Sequence, residues 1–149
     1  MDKVLIFDDV FDSKTNEAIV AFDYSPAEKW YDLGSNPVQE KILEICSQHF
    51  DLGDIAGYEM WRNKTNPGWH VDKDEKLFKK TGQLVFPQCS AVYYALIENM
   101  NGGEFYTEDM RCFPRTNRLI MFSPGIYHGA SASTGTRVAV SLNPWSCRV

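Results

Sequence analysis

From Gly57 to its C-terminus the chain is cut into short β-prone runs by closely spaced turn residues, and this pattern constrains the fold more than any other feature. The runs are Tyr58–Arg62, Gly68–Asp72, Leu84–Phe86, Ser90–Ile97, Glu104–Thr107, Arg118–Phe122, Ile126–Ala130 and Thr136–Asn143. Asn66-Pro67-Gly68, Asn101-Gly102-Gly103, Ser123-Pro124-Gly125 and Ser133-Thr134-Gly135 separate them. Many short strands at such spacing predict a β-sandwich or barrel.

The first third reads differently. Residues Asp12 to Phe22 carry Ala18, Ile19 and Phe22 at helical spacing behind an Asp/Ser/Thr start. A second helix is expected from about Pro37 to Phe50, with Asn36 as N-cap and an apolar stripe of Val38, Ile42, Ile45, Cys46 and His49. The expectation is one mainly β domain over 1–149, with 1–56 as helical support and 57–149 as the β core. A hydrophobic fraction of 44% fills one ordinary core without help from a metal or disulfide. The four cysteines form no C-x-x-C pair, which points to ordinary thiols. A formal net charge of -5 disfavours nucleic acid as main partner. No apolar run is long enough for a membrane span, and no signal peptide is evident. The expectation is a soluble, cytoplasmic protein, its oligomeric state left open.

The last run is the most informative. Strand alternation puts Arg137, Ala139, Ser141 and Asn143 on one face and Val138, Val140 and Leu142 on the other. Inside a barrel the first face would make a polar pocket suited to an anion. Trp69-His70-Val71-Asp72 reads as a strand, so His70 and Asp72 project from one side and can share an ion. His128, in Tyr127-His128-Gly129, would complete a two-histidine, one-carboxylate triad with open positions for dioxygen chemistry at ferrous iron. His49 falls on a helix stripe and is read as a core-edge residue. Asp74 is read as a solvated charge.

Arg137 follows His128 by nine positions, on the alternating strand. The ordered set of H-x-D, a glycine-rich turn, a distal histidine and an arginine on the next strand resembles the 2-oxoglutarate/Fe(II)-dependent dioxygenases, in their prolyl-4-hydroxylase-like branch. Matching pieces run from about Tyr58 to Trp145 and include Val92-Tyr93-Tyr94-Ala95-Leu96, Gly102-Gly103-Glu104-Phe105 and Arg137-Val138-Ala139-Val140-Ser141. The resemblance implies a double-stranded β-helix (jelly roll) backed by N-terminal helices. It implies Fe(II) on His70, Asp72 and His128, with O2 and 2-oxoglutarate as co-substrates. The far carboxylate of 2-oxoglutarate would meet Arg137, with Tyr94 as a second donor and Ser141, on the Arg137 face, as a third. Oxidative decarboxylation to succinate and carbon dioxide would drive hydroxylation of a C–H bond, of a prolyl residue in a peptide or protein in the resembling branch.

In many prolyl hydroxylases a tyrosine lies nine or ten residues before the first ligand histidine. Met60-Trp61 stands there in this chain, so Trp61 is expected at the co-substrate, with Tyr58 as a substitute if the register differs. Two alternatives remain: the same chemistry on a free amino acid or small metabolite, and a cupin-like module that holds a metal or ligand without turnover. The run from Lys73 to Gln88 leaves directly from Asp72 and is rich in lysine. It is expected to lie at the pocket mouth as a surface loop or as a lid, with its lysines drawing in an acidic substrate.

Overall fold

The computed structural model describes residues 2–149. Its strands form two antiparallel sheets. The larger has six strands in the order β1 (Val4–Asp8), β7 (Arg118–Phe122), β4 (Ser90–Gly102), β9 (Ser133–Trp145), β3 (Gly57–Arg62) and β2 (Trp30–Asp32). The smaller runs β6 (Arg111–Cys112), β5 (Phe105–Tyr106) and β8 (Gly129–Ala130). The two sheets pack face to face as a jelly roll, and two helices buttress the outer face of the larger sheet.

Alternation in the central strands creates both cores. On the helix side, Val138, Val140 and Leu142 of β9 meet Ala91, Tyr93 and Ala95 of β4, Leu119 and Met121 of β7, and Tyr58 and Met60 of β3. Ile19 from α1 (Ser13–Ala21) and Ile42, Leu43 and Cys46 from α2 (Glu40–His49) close that core. On the inner side, Tyr94, Ile120, Phe122 and Ala139 meet Phe105 and Cys112 of the small sheet. β4 and β9 extend to 13 residues each. Register shifts near Tyr94 and Glu98 bend the pair. At its tight end Gly102 sits at φ +74°, where a Cβ would also collide with the Ala132 carbonyl.

Several local expectations are corrected. The first 56 residues are not helical support alone: β1 pairs with β7 and β2 with β3, so this part also supplies both edges of the large sheet. The first helix is capped as expected, Asp12 accepting from the Thr15 N–H at 2.8 Å. The second starts at Glu40, not Pro37, and Asn36 does not cap it. The Asn36 side chain donates instead to the Tyr58 hydroxyl (3.1 Å). Glu40 reaches back to the Gly34 and Asn36 N–H groups at 2.7 and 2.8 Å. Gly68–Asp72 and Leu84–Phe86 form no strands; within the first, only His70 finds a bridge partner. The Lys73–Gln88 run contains a short helix, α3 (Glu75–Thr81), capped by Asp74 and stopped by Gly82 at φ +75°.

Candidate metal centre and cavity

His70 and His128 lie directly opposite each other in an isolated antiparallel bridge. The His70 N–H donates to the His128 carbonyl at 2.9 Å, and the His128 N–H returns the bond at 2.8 Å. Opposed residues of such a bridge point to one side, and the two imidazole centroids are 4.3 Å apart. Each ring is oriented by its own turn: His70 Nδ1 faces the Gly68 carbonyl at 2.8 Å and His128 Nδ1 the Ile126 carbonyl at 2.9 Å. An Nδ1–H held in this way leaves the Nε2 lone pair free to bind a metal. Both Nε2 atoms face Asp72 Oδ1, at 3.5 and 3.6 Å. One donor atom from each of the three residues lies within 4.8 Å of the others. Neighbouring ligands on an ion with bonds of about 2.1 Å are about 3 Å apart, so the donor set fits a divalent ion with small adjustments.

The bridge is braced from outside. Trp69 stacks between Tyr106 and Tyr127, at centroid distances of 5.9 and 6.1 Å. Gly129 lets β8 approach, since a Cβ there would fall 2.5 Å from the Tyr106 hydroxyl. Asp72 is braced from within, its Oδ2 accepting from Ser90 Oγ at 2.8 Å. Burial pushes the Asp72 carboxyl up, but His70, His128 and Ser90 outweigh it and hold the group below its usual range. The hydrogen bond to Asp72 raises His70, and burial lowers His128.

The three side chains open into a cavity of about 460 Å³ between the sheets. Trp61, Val92, Tyr94, Arg137, Ala139 and Ser141 line the same space. The expected polar face of β9 therefore turns inward, with Ala139 leaving room between Arg137 and Ser141. Burial raises the Tyr94 phenol well above its ordinary value, so it stays a donor, close enough to Arg137 for each to affect the other. Arg137 Nη2 donates to the Thr65 carbonyl at 2.7 Å, which aims the guanidinium along the wall.

Trp61 and Met60 divide as their alternation requires. Trp61 lines the cavity and Met60 enters the helix-side core. The Trp61 Nε1–H is committed to Asn63 Oδ1 at 3.0 Å, and Asn63 donates in turn to Ser141 Oγ at 2.8 Å. Trp61 is thus a flat wall whose donor is already used. Tyr58 does not substitute for the missing tyrosine: it is fully buried on the other face and donates to Glu40 at 2.9 Å. His49 lies against Phe7, 5.0 Å between centroids, away from the site. None of the lysines from Lys73 to Lys80 lines the cavity. Lys73 pairs with Glu75 at 3.1 Å and lies over Phe78, while Lys76 borders a separate groove with Glu59 and Asp74. Sequence reasoning missed Ser90 and Asn63, whose only signal was a small polar residue at the start or just past the end of a pocket-facing strand.

No protein-family model matches the sequence, and no curated protein does. Among solved structures, a viral collagen prolyl hydroxylase from Paramecium bursaria Chlorella virus 1, in its complex with 2OG, is similar over 95% of this chain and 93% of that chain. The TM-score is 0.62 and the identity 13%. At that identity the likeness establishes the shared jelly-roll fold.

Proposed function

We propose that the protein is a non-haem Fe(II) oxygenase that couples oxidative decarboxylation of 2-oxoglutarate to hydroxylation of a C–H bond. The observation that carries this reading is the convergence of both histidine Nε2 atoms on Asp72 Oδ1, inside a cavity whose far wall holds Arg137 and Tyr94. A facial set of two imidazoles and one carboxylate leaves open positions on iron, the arrangement oxygen-activating ferrous sites require. When bound, iron and 2-oxoglutarate together supply the oxidising power; the chain supplies position and surroundings. His70, Asp72 and His128 would hold the metal. Arg137 would grip the far carboxylate of 2-oxoglutarate with two charge-assisted hydrogen bonds. Tyr94, protonated across the working range, would donate a further one. Ser141 accepts from Asn63, which leaves its O–H to donate into the cavity. Trp61, Val92 and Ala139 would keep water from the reacting atoms. The fold likeness to a protein named as a collagen prolyl hydroxylase supports a peptide or protein substrate.

Anaerobic addition of Fe(II) and 2-oxoglutarate should give a weak visible charge-transfer band, and admission of air should give succinate. His128→Ala should abolish both, whereas His49→Ala should abolish neither. A folded protein that binds metal but shows no band and no succinate would refute the reading.

A further inference from the structure

The cavity mouth carries cations that the proposed reaction does not use. Lys29, Arg62 and Lys64 line it beside Arg137, and among the described residues Asp72 is the one carboxylate that lines it. This reverses the balance of the whole chain, whose formal net charge is -5. Two of the three cations are held in place. Lys29 Nζ lies 5.1 Å from the centre of the Trp61 ring, a cation–π placement on the cavity wall. Arg62 Nη2 donates to the Arg137 carbonyl at 2.8 Å. Lys64 follows on the extension of β3, where the Asn63 N–H still pairs with the Ala139 carbonyl at 2.8 Å.

The nearby acids do not neutralise them within the cavity. Asp23, which feels the charge of Lys64, accepts from the Ser25 N–H at 2.9 Å and does not line the space. Glu28 pairs with Arg148 at 3.4 Å. Glu59 feels the charge of Lys29 and, with Asp74 and Glu75, borders a second groove that Lys29 also lines, but none of these carboxylates lines the cavity, and Glu59 accepts from Trp145 Nε1 at 2.8 Å. All three cations are exposed, unlike half-buried Arg137 and buried Tyr94.

We infer that Lys29, Arg62 and Lys64 recognise acidic residues of a peptide substrate, on either side of the residue presented to the metal. This rests on the oxygenase reading and adds the substrate class. A free dicarboxylate would need an enclosed seat of its own. Exposed cations on two separate segments instead address a chain that leaves the cavity across its rim, and about 460 Å³ encloses only a short stretch of it. The local excess of positive charge would also speed encounter with an acidic partner.

The test uses three fluorescent peptide pools of equal length, with acidic, neutral or basic flanks around a randomised centre. Binding is read by anisotropy on the wild-type protein, with and without Mn(II) and 2-oxoglutarate. The acidic pool should bind tightest and weaken as salt rises. Lys29→Glu/Lys64→Glu should lower its affinity at least about ten-fold, as reversal of two rim charges implies, and transfer preference to the basic pool. Arg62 is left intact because it pins Arg137, and Lys64→Glu alone gives a smaller change should the double variant fold poorly. Equal binding of the pools, no binding, or an unchanged preference in the variants overturns the inference. So does displacement of the acidic pool by an equal concentration of free glutamate. Succinate formation by a protein without acidic preference overturns this inference alone; an acidic preference without succinate overturns the oxygenase reading instead.

Discussion

Ser90→Ala isolates one hydrogen bond to the proposed metal ligand. Ser90 is 3% exposed, and its hydroxyl donates to Asp72 Oδ2 at 2.8 Å. That bond fixes which carboxylate oxygen is turned toward the two histidines. Without it the carboxylate can rotate, and Oδ2 loses its donor in a buried place. Hydrogen bonds to charged acceptors contribute about 1.5–3 kcal/mol, and loss of such an outer partner lowers metal affinity about ten- to a hundred-fold. This corresponds to about 1.4–2.7 kcal/mol. Because the variant also loses stability without metal, the useful quantity is the rise in melting temperature that saturating Mn(II) gives each protein. For a domain near this size about 1 kcal/mol shifts the midpoint by about 2–4 °C. The metal-induced rise should therefore shrink by about 3–10 °C at one fixed Mn(II) concentration, and titration should show the matching loss of affinity. A folded Ser90→Ala protein with wild-type Mn(II) affinity would show that Asp72 needs no such support, or is not a ligand.

Arg137→Met should raise the dissociation constant of 2-oxoglutarate about thirty-fold to several thousand-fold, because it strands a carboxylate without its partner; calorimetry that finds no change removes Arg137 from the seat. Leu142→Ala should cost about 2–5 kcal/mol in urea unfolding, since Leu142 is fully buried opposite Met60 and Ala91; a cost well below 1 kcal/mol would contradict the packing there. Glu59→Gln should stabilise the metal-free protein once pH rises above the ordinary glutamate range, because burial raises the Glu59 carboxyl above its ordinary value and the native state loses stability as pH rises through that raised range. The gain should vanish below the ordinary glutamate range, where the group is protonated folded and unfolded alike, and a gain independent of pH would show that the charge is not its source.

The parts of this fold legible in the sequence are those that alternation or local capping determines. The faces of β9, the helix stripe through Ile42 and Cys46, and the Asp12 cap follow from residues within a few positions of one another. The grouping of His70, Asp72 and His128 was legible only through its spacing. The element carrying its first half was misread, because His70 and Asp72 sit in an irregular segment that touches the sheet system at one bridge. Nothing local marks residue 70 as the partner of residue 128; the pair is made by backbone bonds across 58 positions. The short strands β1 and β2 were invisible for a similar reason. At five and three residues their strand character comes from the neighbours they pair with, and tertiary context overrides weak local preference. The lysines after Asp72 misled by proximity in sequence. The Asp74 cap starts a helix that carries them off the cavity, and the cations that line it come from positions 29, 62, 64 and 137.

The segment that presents His70 and Asp72 is held more by polar bonds than by burial. Of residues 63–74 only Val71 is buried. The segment is tied down by Asn63 to Ala139, Pro67 to Ala130, Asn66 to Ser133 and the His70–His128 pair. Each such bond contributes about 0.5–1.5 kcal/mol net, so the segment belongs to the less stable part of the molecule. The other groups of the site are placed differently. Ser90 and Tyr94 stand on β4, and His128 packs against Phe105 and Phe122 of the inner core. An ion shared by His70, Asp72 and His128 would join the polar-held segment to the packed core, adding to the Ser90 hydrogen bond that already ties Asp72 to β4. The site thus combines a rigid wall, which would set direction for the proposed co-substrate, with a lightly held strap that a metal would fasten. Its binding free energy would be spent on ordering the ligands, and the carboxylate between the two imidazoles is the group that ordering affects most.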